Sequence, residues 1–111
     1  MNATMWSYPP GAVASDLVGF HVQAQDGAVG SIDETSMEIG RAYLVVDAGP
    51  WIDRRRVMLP AGMVSAVDPH QRVVYVERTK HQIEHAPELD ESTYREPAYA
   101  AELSGYYWGP R

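Results

Sequence analysis

Two histidines, His81 and His85, stand four residues apart, a spacing that sets two imidazoles on one face of a helix. A zinc ion there would need at least one further ligand, and Glu84 or Glu88 could supply it. The zinc-hydrolase pattern HExxH places a glutamate directly after the first histidine, and here that residue is Gln82. The pair therefore reads as two surface histidines, and no metal is expected. Asp47 and Asp53 flank Gly49-Pro50-Trp51 and offer a second arrangement with chemical potential. Paired carboxylates do acid–base work only when held at a defined separation in a dehydrated pocket. A small β-structure filled by its own side chains offers none, so these are read as solvated loop acids. No serine–histidine–acid arrangement, glycine-rich phosphate loop or nucleotide fingerprint is present. The chain has no cysteine, which removes disulfides, thiolate metal sites and cysteine nucleophiles. The expectation is a non-enzymatic protein without catalytic residues or cofactor.

Binding is a better use of the remaining residues. The run Trp51-Ile52-Asp53-Arg54-Arg55-Arg56 joins a large aromatic and an aliphatic side chain to three guanidinium groups. Tryptophan and arginine dominate binding hot spots because they combine large contact area with directional donors. Trp51, Ile52, Arg54, Arg55 and Arg56 are therefore candidate contacts for an acidic partner, although Trp51 could equally close one end of the fold. Near the C-terminus, Tyr106, Tyr107 and Trp108 form a second candidate, since such a cluster must pack on something to leave water.

Charge and length narrow the partners. The 111 residues carry a net charge of −6, and three clustered arginines in an acidic chain do not make the basic face that nucleic acid requires. Direct nucleic-acid binding is not expected. No apolar run approaches the roughly 18 residues of a membrane helix, and no positive stretch precedes an apolar one at the N-terminus. The expectation is a cytoplasmic protein with no membrane insertion, in one domain.

The elements that must position these residues are short. Between Gly19 and Pro87, apolar segments rich in Val, Tyr and Ile are cut at near-regular intervals by turn residues, which specifies a small closed β-structure. Phe20, Val22 and Ala24 alternate with His21 and Gln23 as in a half-buried strand. Asp26-Gly27 supplies a tight turn, and Val29 to Asp33 returns, with Gly30 marking a bulge or a close backbone approach. Glu34 to Gly40 is a connection of no clear type. Arg41 to Asp47 is the strongest strand, its Tyr43-Leu44-Val45-Val46 centre buried on both faces. Val57 to Leu59, Met63 to Val67 and Val73 to Glu77 complete the set, with Asp68-Pro69-His70-Gln71 turning between the last two. Thr79 and Gln82 form a capping box for a short helix that Pro87 ends. Tyr99, Leu103, Tyr106 and Tyr107 then fall at helical spacing. They predict a short amphipathic helix that covers the β-structure or docks on a second copy.

Several of these blocks together resemble the PRC-barrel domains. They are Gly19-Phe20-His21-Val22 with Asp26-Gly27-Ala28-Val29-Gly30-Ser31-Ile32-Asp33; Tyr43 to Asp47 with Gly49 and Trp51; Val57-Met58-Leu59-Pro60; Val64 with Val67-Asp68; and Val73-Val74-Tyr75-Val76 closing into Thr79 to Ile83 and Ala86-Pro87. The resemblance covers about Asp16 to Glu88. It implies a mainly β fold, a small, mostly antiparallel barrel of about six strands. Together with the residues on either side, the expected organisation is a flexible arm over 1–14, where Tyr8-Pro9-Pro10-Gly11 stands without periodicity, the barrel with its short closing helix over 15–88, and an acidic, aromatic C-terminal extension over 89–111 that packs on the barrel or on a partner. Such domains occur in the photosynthetic reaction-centre H subunit, in a ribosome-maturation factor, and as free-standing bacterial and archaeal proteins. The H subunit's membrane helix and the maturation factor's preceding domain are not seen in this sequence, which favours the free-standing class. The resemblance then implies a scaffold or adaptor with a protein partner, and the aromatic tail adds the expectation of a homodimer. Accessory roles in RNA metabolism, ribosome assembly or reaction-centre electron transfer are the alternatives.

Overall fold

The structure is a computed structural model that describes residues 6, 8, 17–36, 41–48 and 56–109. Six strands carry the fold: β1 (His21–Ala24), β2 (Gly27–Ser36), β3 (Tyr43–Asp47), β4 (Arg56–Pro60), β5 (Val64–Asp68) and β6 (Val73–Val76). A single 3-10 turn, Ala61–Met63, separates β4 from β5, and two helices follow, α1 (Lys80–Glu84) and α2 (Pro97–Trp108). The strands form one sheet in the order β4-β3-β2-β1-β6-β5. Neighbours are antiparallel except β1 and β6, which run parallel.

This differs from the closed barrel expected from the strand spacing. The sheet is mixed and not closed, and β4 and β5 are its two edges. Spacing and alternation specify how many strands form and which face each buries, but closure depends on pairing between the first and last edges, which is a long-range property.

Local chemistry explains the elements. Ala24 pairs with Gly27, so the β1–β2 hairpin loop is Gln25-Asp26, and Gly27 follows it at φ +150°, a conformation costly to a residue with a Cβ. Strand β2 continues through Glu34, Thr35 and Ser36, which sequence alone leaves as an untyped connection. Pairing with Val45, Leu44 and Tyr43 makes them strand, an override of weak local propensity by the neighbouring strand. β2 thus pairs β1 with its first half and β3 with its second, and register shifts at Val22/Gln23 and Ile32/Glu34 let it bend between them. Gly30 sits at that junction, where a Cβ would run into the Asp47 carbonyl. The expected close backbone approach is found there. Beyond β5, the Asp68 carboxylate accepts from the His70 and Gln71 amides at 3.0 and 3.1 Å and holds the turn into β6.

The capping box of α1 is present. Gln82 N donates to Thr79 Oγ1 at 3.2 Å and Thr79 N to Gln82 Oε1 at 3.0 Å. Asp26, on the distant hairpin loop, adds a third bond by accepting from Lys80 N at 2.8 Å.

One apolar cluster unites the sheet with both helices. Leu44, Val45 and Val46 are all buried, as expected for a strand covered on both faces. α2 contributes Tyr99, Leu103 and Tyr107 to the cluster, and Tyr94 enters it from the segment before that helix. The described part of the 1–14 segment also contributes. Trp6 is 3% exposed, its carbonyl accepts from Ala42 N at 2.9 Å, and its indole N–H donates to Ser104 Oγ at 2.7 Å.

Candidate functional site

The residues singled out for binding fall into three groups. Trp51, Ile52, Arg54 and Arg55 lie outside the described residues, as do Asp53 and the Gly49-Pro50 step. Arg56 opens β4, and its charge is engaged within the chain. Its Nη1 lies 3.0 Å from Glu91 Oε1, its Nε 3.0 Å from Asp33 Oδ2, and its Nη2 3.6 Å from Glu34 Oε1. Tyr106, Tyr107 and Trp108 form the last turn of α2. Tyr107 is 7% exposed, Trp108 is half-buried, and Tyr106 is 38% exposed, with its hydroxyl donating to the Gln82 carbonyl at 2.6 Å. Arg78 fastens this end of the helix. Its guanidinium donates to the Tyr107 carbonyl at 3.0 Å and lies over the Tyr107 and Trp108 rings, a favourable arrangement for a cation at a helix C-terminus. The aromatic tail therefore packs on its own chain.

His81 on α1 and His85 at its C-cap are brought together with ring centroids 4.2 Å apart, and the His81 carbonyl lies 2.9 Å from His85 Nδ1. Among the described residues, no third histidine or acid gathers with them into a metal-binding group. Asp47 ends β3, exposed, and pairs with Arg56 across the sheet.

Sequence reading missed the polar centre of the molecule, Glu34. Its Oε1 accepts from the Tyr94 hydroxyl at 2.8 Å, and its Oε2 from Arg95 Nη2 at 3.0 Å and the Tyr43 hydroxyl at 3.3 Å. With Arg56 also adjacent, one carboxylate joins β2, β3 and β4 to the segment that leads into α2. Burial pushes its pKa up, but hydrogen bonds from Tyr94 and Arg95 outweigh this and leave the group below the usual glutamate value. Tyr94 and Tyr43 move the opposite way. Burial raises both hydroxyls, and the neighbouring Glu34 carboxylate adds to the rise. No sequence motif announces such a centre, because its members lie up to 61 residues apart.

Concavities lined by described residues include two of differing chemistry. One, of about 240 Å³, opens beside this centre between β3, β4 and the start of α2. Trp6, Tyr43, Met58 and Tyr94 form its walls, and Arg41 and Arg95 also line it. The other is a shallower groove of about 360 Å³ on the outer sheet face, running across β1, β6 and β5 past Gln23, Tyr75 and Ser65. Gln23 pairs with Tyr75 and Tyr75 with Ala66, so these residues form a row across three strands that ends at the β5 edge. Tyr75 is 39% exposed in the middle of that row. No helix among the described residues is long and apolar enough to cross a membrane. Compared with known proteins, the chain matches no family model and no curated protein.

Proposed function

We propose that this chain is a non-catalytic interaction module of the PRC-barrel kind, a cytoplasmic scaffold or adaptor that self-associates through the open half of its sheet. The observation that carries this reading is the contrast between the two sheet edges. β4 has Val57, Met58, Leu59 and Pro60 buried, whereas β5 exposes Ser65 and Ala66 beside the groove that holds Tyr75. An edge strand whose side chains are this exposed among the described residues is suited to accept another strand. A partly exposed tyrosine on the adjoining face supplies an anchor of the type common in interfaces. The order of blocks from Gly19 to Pro87 supports the family reading, and the residue types of Trp51, Ile52, Arg54 and Arg55 suit a further partner contact.

Light scattering on the full chain over a range of concentrations tests this. Wild-type protein is expected to show a concentration-dependent dimer. Ala66→Lys, which places a charge on the exposed edge opposite Tyr75, is expected to be monomeric with an unchanged melting temperature. A wild-type chain that stays monomeric throughout, or an Ala66→Lys chain that dimerises equally well, would overturn the proposal.

A further inference from the structure

The cavity beside Glu34 is walled by three aromatic rings whose polar atoms are committed elsewhere. The rings are those of Trp6, Tyr43 and Tyr94, with the Met58 thioether beside them. The Trp6 indole N–H donates to Ser104 Oγ on α2 at 2.7 Å. The Tyr94 and Tyr43 hydroxyls donate to Glu34 on β2 at 2.8 and 3.3 Å. These bonds tie the rings to two different elements, and what the rings then offer a guest is carbon surface. Such surface suits a flat aromatic molecule through ring contacts and sulfur–aromatic contacts.

The charges around the cavity are engaged and balanced. Arg95 donates to Glu34 Oε2 at 3.0 Å and lies 4.6 Å from the centre of the Tyr94 ring, and Arg41 Nη2 donates to the Arg95 carbonyl at 3.4 Å. Two guanidinium groups, Arg41 and Arg95, are matched by two carboxylates, those of Glu34 and of Glu96 in the lining. An ion of either sign would lose hydration on entry without a net opposite charge to meet it. Water held between apolar walls is poorly bonded, and an apolar guest gains affinity by displacing it. Volume sets the size of that guest. A dry apolar cavity of about 150 Å³ holds one benzene ring, so a space of about 240 Å³ takes two fused rings.

We propose that this cavity binds a neutral, flat aromatic molecule of two fused rings, of the size and polarity of indole, packed between Trp6, Tyr43 and Tyr94 against Met58. The site shares no lining residue with the groove at the β5 edge, so it stands or falls independently of self-association.

Titration of the full chain with indole, followed by nuclear magnetic resonance of its methionine methyl groups, tests the assignment. Indole is expected to bind saturably with a Kd below about 1 mM, within the ligand efficiency of so small a molecule. The Met58 methyl should shift under the ring current of the guest. The Met63 methyl, buried but outside the lining, should stay in place. Neutral 3-methylindole should bind about as well as indole, whereas indole-3-carboxylate and 3-(aminomethyl)indole should each bind about tenfold or more weakly, since each must bury a charge. Ala100→Leu, which grows into the cavity from α2, should abolish the Met58 shift. The assignment fails if indole leaves the Met58 methyl unmoved, or if Met63 shifts as much. It fails equally if either charged analogue binds as tightly as 3-methylindole, or if a folded Ala100→Leu chain keeps full affinity. Should Ala100→Leu fold poorly, the methyl shifts and the charge series decide alone.

Discussion

Glu34 shows how one carboxylate can organise a chain this small. It lies on β2, yet its partners come from β3, β4 and the segment before α2. Its pKa is depressed in the fold, so its ionised form is the one that stabilises. That contribution is fully present above the value of an unfolded-chain glutamate, about 4.3, and is lost as pH falls through the lower value of the folded state. Urea melts of wild type are therefore expected to weaken as pH falls below about 4.3, with Glu34→Gln showing a shallower loss over the same window. Equal slopes for the two proteins would show that the acid sensitivity arises elsewhere. At neutral pH, Glu34→Gln should cost about 1–3 kcal/mol, because charged hydrogen bonds to Tyr94 and Arg95 are replaced by neutral ones. Gly30 is the second position where a single atom decides. A Cβ there meets main chain at Asp47 and Ala48 rather than a side chain that could turn away. Gly30→Ala is expected to destabilise by about 1–3 kcal/mol, read as a lower urea midpoint.

At the scale of elements, the two helices are held by different means. α1 has five residues, too few to persist by hydrogen bonding alone. Its first turn is secured instead by Thr79, Gln82 and the distant Asp26. Thr79→Ala should cost about 1 kcal/mol in thermal or urea unfolding, and an unchanged midpoint would show that tertiary packing alone holds the helix. α2 depends on burial, since Leu103 is fully enclosed and Tyr99 and Tyr107 nearly so. Leu103→Ala is expected to cost about 2–5 kcal/mol. The capping box was legible from Thr79 and Gln82, because capping is a local pattern. The burying face of α2 was legible in Tyr99, Leu103 and Tyr107, while Tyr106, assigned to the same stripe, turns to solvent and to α1.

For the whole molecule, the extension after Glu88 is part of the core and not an appendage. Tyr94, Tyr99, Leu103 and Tyr107 join the same cluster as Leu44 and Val74, and Trp6 reaches Ser104 across 98 positions. Cutting the chain after Glu88 is expected to abolish the cooperative thermal transition, measured by near-ultraviolet circular dichroism. A sharp transition surviving in that fragment would place the core wholly within the sheet and α1. The strands were legible because alternation and turn residues are local. β2 was read too short, since Glu34, Thr35 and Ser36 have no strand signature of their own and become strand through β3.

The sequence alone determined the strand order along the chain, the capped helix after β6, a bulge or close approach at Gly30 and the absence of cysteine chemistry. These follow from periodicity, turn residues and composition, which act between near neighbours. Only the tertiary structure decided that the sheet stays open between β4 and β5, that β1 runs parallel to β6, and that Arg56 is engaged by Asp33, Glu34 and Glu91. It alone brought Tyr43, Glu34, Tyr94 and Arg95 together beside an aromatic cavity. Residues from β2, β3 and the α2 approach meet there through long-range packing, and no spacing along the chain encodes which distant side chains will share a site.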